Sequence, residues 1–211
     1  MIKEFEKRIL SSLILIPIAV FFIIKGSLFF TFFLCLLFLA TSYEWLKMNK
    51  NNELLKVLGF IFLLFSFYTT SEIREYTSFE YFLFIISVCV FTDIGGYTFG
   101  KLLKGPKLTK ISPNKTYTGV FGSFLLPLVA GLIYVYYFGN REIVETDNFS
   151  IFLIIIFISF ISQIGDLIIS YFKRKAKLKD TGKILPGHGG LLDRIDGLVF
   201  VMPIIYLFGK I

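Results

Sequence analysis

The sequence predicts an all-α integral membrane protein, a bundle of about seven transmembrane helices with the N-terminus inside and the C-terminus outside. Three observations carry that expectation. Hydrophobic residues make up 55% of the 211, and mean hydropathy is +0.76. These residues come in unbroken blocks, where a soluble domain would interrupt them at helical or strand period. The blocks approach the roughly 20 apolar residues needed to cross about 30 Å of hydrocarbon. Finally, the basic residues collect in the gaps between blocks, and collect unequally.

Seven spans follow in order: Ile9 to Ile24, Ser27 to Leu46, Leu54 to Thr70, Phe79 to Gly100, Tyr117 to Phe138, Ser150 to Phe172 and Gly190 to Phe208. Only Lys25 and Gly26 separate the first two, which predicts a tight hairpin. The first block follows Lys3, Lys7 and Arg8 and lacks a small-residue cleavage site, so it reads as a retained helix rather than a signal peptide. The expected organisation is one polytopic domain over residues 1–211, with N-terminal spans over 9–70 and catalytic helices and cytoplasmic loops over 79–208.

Charge sets the expected orientation. With the N-terminus inside, eighteen of the 22 basic residues fall on the cytoplasmic side, and Lys25, Arg74, Arg141 and Lys210 fall outside. Lys and Arg in short loops govern topology, so this arrangement is preferred to its reverse. The external loops are acidic, with Glu72, Glu75, Glu80, Glu142, Glu145 and Asp147. The net charge of +7 therefore reads as topology and anionic-ligand binding at a membrane surface, not as a nucleic-acid footprint. Cys35 and Cys89 both lie inside apolar blocks, where they act as small hydrophobes rather than as disulfide or zinc partners.

Ionisable residues within spans are costly and are functional candidates. Asp93, Asp166, Asp193 and Asp196 all fall near the cytoplasmic ends of their predicted helices. Asp193 and Asp196 are three residues apart and share a helix face. Like charges held together repel unless a cation lies between them, and carboxylates with retained water suit Mg²⁺. A carboxylate in a first helical turn is also favoured by the helix dipole, so Asp193 alone reads as a cap. Asp196 is one turn deeper, while Asp93 could simply begin an irregular helix end before Gly95 and Gly96.

Two polar stretches of about 20 residues, Gly100 to Gly119 and Lys173 to Gly190, are long enough to carry a site. The second begins with Lys173, Arg174, Lys175, Lys177 and Lys179 and continues through Gly187, His188, Gly189 and Gly190. A Gly-rich stretch leading into a helix N-terminus can present backbone N–H groups to a phosphate. His188 either donates to phosphate or packs the loop. In the first stretch, Lys115 with the hydroxyls of Ser112 and Thr116 suits phosphate oxygens, beside a Pro113-initiated turn. No Ser–His–Asp arrangement, P-loop or dinucleotide fingerprint is present. The residues alone thus point to metal-assisted phosphate chemistry at the cytoplasmic interface.

The run Ser170–Tyr171–Phe172–Lys173–Arg174, then Lys179–Asp180, then Pro186–Gly187–His188–Gly189–Gly190–Leu191–Leu192–Asp193–Arg194–Ile195–Asp196 closely resembles the signature of phosphatidate cytidylyltransferases. Gln163–Ile164–Gly165–Asp166–Leu167, Ser112–Pro113–Asn114–Lys115–Thr116 with Gly119, and the segment from Asp93 to Gly100 are similar to the same family. The resemblance implies conversion of CTP and phosphatidic acid to CDP-diacylglycerol and pyrophosphate, with Mg²⁺ and a possible second cation as cofactors. It implies metal-binding carboxylates at Asp166, Asp193 and Asp196, and phosphate-holding positions at Lys173, Arg174, Lys179, His188 and Arg194. It also implies a homodimer in the inner (plasma) membrane with its site facing the cytoplasm. Ile169, Thr118 and Gly197 depart from the family pattern, where an acid, an acid and a serine are common. Two other classes compete: a CTP-dependent polyprenol or lipid kinase, and a transporter or lipid-binding membrane protein. The long glycine–aspartate match argues against the first. The one-sided crowding of carboxylates, without an internal repeat, argues against the second.

Overall fold

The computed structural model describes residues 2–109, 112, 115–139, 147–185, 187 and 189–208, with the side chains of 2–10 and 12 outside the description. Among the described residues seven α-helices form: α1 (Ile2–Lys25), α2 (Ser27–Met48), α3 (Glu53–Tyr76), α4 (Phe79–Leu103), α5 (Tyr117–Phe138), α6 (Asn148–Lys175) and α7 (Leu192–Phe208). Among the described residues there is no β-strand, only two isolated bridges, Lys107 with Thr116 and Leu185 with Gly189.

Five helices, α2 to α6, are long and apolar enough to cross a membrane. Large apolar side chains such as Leu28, Leu39, Leu64, Phe121 and Phe160 point outward from them, a surface that lipid would cover and water would not. The chain is a multi-pass membrane protein. The expectation of seven spans is met only in part. Among the residues whose side chains are described, α1 shows an apolar stretch over Leu13–Lys25, and α7 has 17 residues, which is roughly 26 Å of helix. The predicted seventh span began at Gly190; α7 begins two residues later, with Gly190 N–H capped by Asp193 of the helix's own first turn and Leu191 N–H given to Glu44 of α2.

The chain divides into two compact units, residues 1–75 with 172–211, and residues 76–171. The first unit thus takes in the last helix together with the first three. Helix α6 runs from the second unit into the first.

In the first unit, Gly26 (φ 62°) and Ser27 (φ 47°) turn α1 into α2. Both are in the left-handed region, which Gly adopts without a Cβ penalty. The Arg74 guanidinium donates to the Ile23 carbonyl at 3.1 and 3.2 Å and so ties this turn to α3. The far end of α2 is anchored by Trp45. Its indole N–H donates to the Leu55 carbonyl at 2.9 Å, and its ring fills the space where a Cβ on Gly59 would lie. Phe172 meets the same ring edge-on at 5.1 Å. Phe62 of α3 packs against Phe200 of α7 at 4.7 Å.

In the second unit, α4 and α5 cross closely because Gly95 and Gly122 face each other: a Cβ on either would strike the other's carbonyl. Small residues allow this approach where apolar burial gives little drive. The α4–α6 contact carries a buried Thr92–Ser159 hydroxyl pair at 3.0 Å. Ser78, Thr116 and Asp147 cap α4, α5 and α6 through side-chain oxygens, as short polar residues at helix starts do.

Candidate active site

The residues singled out from the sequence fall into two sets, one in each unit. The first set surrounds Asp166, late in α6. Between α4 and α5, residues 104–109 lie back against 115–116, with Lys107 bridged to Thr116. Lys104 takes the left-handed conformation at the end of α4, Leu108 N–H donates to the Lys115 carbonyl at 2.8 Å, and Tyr117 N–H donates to the Pro106 carbonyl at 3.0 Å. Ser112 contributes its carbonyl, which accepts from Lys115 N–H at 3.0 Å. This fold-back delivers the Lys115 ammonium to Asp166 Oδ2 at 2.6 Å. The other oxygen, Oδ1, accepts from the Ser170 hydroxyl one turn on, at 3.2 Å. The pair is partly open, with side-chain exposures of 24% and 30%. Asp93 lies exposed on α4, next to the buried Thr92.

Thr118 and Ile169, two of the three departures, have plain structural jobs. The Thr118 hydroxyl accepts from Gly105 N–H at 3.2 Å and pairs with Thr116 at 3.0 Å, which closes the fold-back. Ile169 is buried in the core.

The second set surrounds Asp193 in the first turn of α7. Helix α6 ends in a Schellman arrangement: Leu178 N–H donates to the Lys173 carbonyl, Lys177 N–H to the Arg174 carbonyl, and Lys177 has φ 57°. That geometry satisfies the terminal carbonyls of a helix. It leaves the Lys173 side chain buried, with its ammonium 2.8 Å from Asp193 Oδ1. Asp193 Oδ2 accepts two backbone N–H groups, from Thr181 at 2.8 Å and Gly190 at 3.1 Å. The pair is nearly closed to solvent, at 10% and 7% exposure. Asp196, one turn deeper, is buried, and its Oδ1 accepts from Gly197 N–H at 2.9 Å. Arg174 is exposed and donates to the Leu178 carbonyl at 2.9 Å. Lys179 and Arg194 are exposed. His188 lies outside the described residues.

Leu185 and Gly189 exchange backbone hydrogen bonds at 3.0 and 3.2 Å, and Gly187 and Gly189 have φ values of 77° and 89°. Several N–H groups that the sequence offered to a phosphate are taken by the protein's own anions. Gly190 donates to Asp193, and Leu191 and Leu192 donate to Glu44. Glu44, near the end of α2, is the residue that sequence reasoning passed over. It is 1% exposed and also accepts from the Thr181 hydroxyl at 2.9 Å. The available signal was a carboxylate inside an apolar span.

Within neither unit do three His, Cys, Asp or Glu side chains gather into a metal-holding group, among the described residues. The donor chemistry around each lysine nonetheless fits a hard divalent cation, since every candidate ligand is a carboxylate oxygen. Lysine ammonium groups occupy one oxygen of Asp166 and one of Asp193.

A profile of the Cytidylyltransferase family matches residues 53–211. This chain belongs to that family. The cytidylyltransferase is also similar over most of its length to curated proteins. A Rickettsia typhi protein named phosphatidate cytidylyltransferase is 36% identical over 94% of this chain and 89% of its own length. A Rickettsia bellii protein of the same name is 36% identical over 94% and 88%. A Brucella suis protein, also so named, is 35% identical over 84% of this chain and 63% of its own. Family membership makes the chain a nucleotidyltransferase. Both carboxylate–lysine pairs lie within the matched residues, whereas Glu44 lies before them.

Proposed function

We propose that this cytidylyltransferase converts CTP and phosphatidic acid to CDP-diacylglycerol and pyrophosphate. The observation that carries the reading is similarity over 94% of the chain to proteins named for that reaction. A phosphate oxygen of phosphatidic acid forms a bond to the α-phosphorus of CTP. The bond from that phosphorus to the oxygen bridging to the β-phosphorus breaks, and pyrophosphate departs with the electron pair.

The chain's residues bind and orient the two anions. Lys115 and Lys173 neutralise Asp166 and Asp193. On binding, each ammonium passes from carboxylate to phosphate, which costs little charge separation because one anion replaces another. Lys179, Arg174, Arg194 and His188 add positive charge or donors, and Ser112 and Asp93 border the nucleotide. The family resemblance implies that Asp166, Asp193 and Asp196 would hold Mg²⁺, with a second cation as a further member of the set. Bound there, the metal supplies charge neutralisation and polarisation of the phosphoryl oxygens. Asp193 Oδ2 keeps the loop in place throughout, through Thr181 and Gly190.

The reading includes topology. All seven helices cross or enter the membrane, with the N-terminus inside and the C-terminus outside, and the eighteen clustered basic residues support that orientation. The site then faces the cytoplasm of a bacterial inner membrane, where CTP is dissolved and the lipid headgroup lies at the interface. A homodimer belongs to the same reading, from the family resemblance.

The test is incorporation of label from CTP into lipid by purified protein supplied with phosphatidic acid and Mg²⁺. Label at the α-phosphate should appear in a liponucleotide. Transfer of γ-label alone would instead establish a lipid kinase, and transfer of neither would return the binding or transport reading.

A further inference from the structure

We infer that Glu44 is a positioning residue for this reaction: from α2 it clamps both ends of the loop that precedes α7 and so sets where Asp193 and Asp196 stand. The inference rests on the cytidylyl-transfer reading above.

Glu44 is 1% exposed. A carboxylate withdrawn from water persists only where donors satisfy it. Three donors do so, and all come from residues 181–192. Oε1 accepts from Leu191 N–H at 3.0 Å; Oε2 accepts from Leu192 N–H at 2.9 Å and from the Thr181 hydroxyl at 2.9 Å. Leu192 opens α7 and Leu191 precedes it, and the first N–H groups of a helix have no partner within it. A carboxylate there is further favoured by the helix dipole. Thr181 links this clamp to the candidate site, because it gives its hydroxyl to Glu44 and its N–H to Asp193. Gly182 and Gly190 make the approach possible: a Cβ on either would run into the Glu44 carboxylate. Trp45 and Asn49 fix the end of α2 itself, through the Leu55 and Trp45 carbonyls. A rigid helix end thus holds the entry to α7, and Asp193 and Asp196 follow one and four residues after Leu192.

If Glu44 only contributed stability, its loss would lower the melting point and leave the kinetics of the folded enzyme unchanged. Positioning predicts a different outcome. Glu44→Gln keeps the size but offers one acceptor oxygen and sets an NH₂ group against an N–H donor. For Glu44→Gln that elutes as folded protein, kcat for α-label transfer should fall about tenfold or more, the scale of a misplaced supporting group, with KM for phosphatidic acid unchanged. Thr181→Val removes one donor and keeps the shape, so kcat should fall severalfold. It carries the test if Glu44→Gln does not fold. Hydrogen exchange at Leu191 and Leu192 should quicken in either variant, and this readout stands even if the wild-type protein transfers no label. Wild-type kcat and wild-type exchange in folded Glu44→Gln or Thr181→Val would overturn the inference. An inactive wild-type protein whose variants still show faster exchange would overturn only the cytidylyl-transfer reading and leave the clamp standing.

Discussion

The two carboxylate–lysine pairs differ in how deeply each is built into its surroundings. Lys115 and Asp166 form a partly exposed pair, and among the described residues only the Ser170 hydroxyl shares the carboxylate. Lys173 and Asp193 are almost closed to solvent, and two backbone N–H groups hold the second aspartate oxygen. Exposed pairs contribute little to stability, while removing one partner of a buried pair leaves a charge without compensation. The same chemistry therefore serves two ends. In the proposed reaction the open pair lets Lys115 part from Asp166 toward a phosphate, whereas Asp193 Oδ2 is committed to the loop through Thr181 and Gly190.

Variants can break this contrast. The largest effect is expected on activity in Asp166→Asn: label transfer should fall at least about 100-fold, the scale of losing a charge aimed at the reacting phosphates. Next comes Lys173→Met, which strands Asp193. Thermal unfolding in detergent should show a loss of about 3 kcal/mol, against less than about 1 kcal/mol for Lys115→Met. Equal losses for the two lysines would erase the distinction drawn between the pairs. Gly190→Ala should cost about 1–3 kcal/mol, because its Cβ lies against Thr181 and Glu44; unfolding at the wild-type midpoint would refute that packing. Thr92→Val should cost about 1 kcal/mol through the lost hydroxyl pair with Ser159.

The smallest effect concerns Asp147, the exposed cap of α6. The Ser150 hydroxyl, and then the Ser150 N–H, hold its carboxyl below the usual range. A depressed value means that the cap stabilises the fold above the unfolded-state value of about 3.9. That stabilisation is lost as pH falls through the lower folded-state value. The melting difference between wild type and Asp147→Ala should be slight at pH 7 and vanish in strong acid. A difference that grew on acidification would refute this assignment.

Much of the helix order was legible because a bilayer demands long apolar runs, and the predicted starts at Ser27, Phe79 and Tyr117 are where α2, α4 and α5 begin. Helix ends were less legible. Helix α6 extends past Phe172 to Lys175 because the Schellman turn at Lys177 stops it, and a lysine in a left-handed position gives no composition signal. Asp193 was readable as a cap from its place in the first turn, but its hold on Thr181 needs the loop to return upon itself. Glu44 was hidden because its partners lie 137 to 148 residues away in the chain. Periodicity and local spacing carry no information over that separation.

The most direct test of the contrast is the unfolding midpoint with and without Mg²⁺ and CTP, measured on wild type and Asp166→Asn. A ligand that binds only the folded protein adds about 2.7 kcal/mol when present at 100 times its Kd. The account predicts a clear rise for wild type, and for Asp166→Asn the same starting midpoint with little or no rise. An Asp166→Asn protein that starts well below wild type, or that gains as much from Mg²⁺ and CTP, would contradict it.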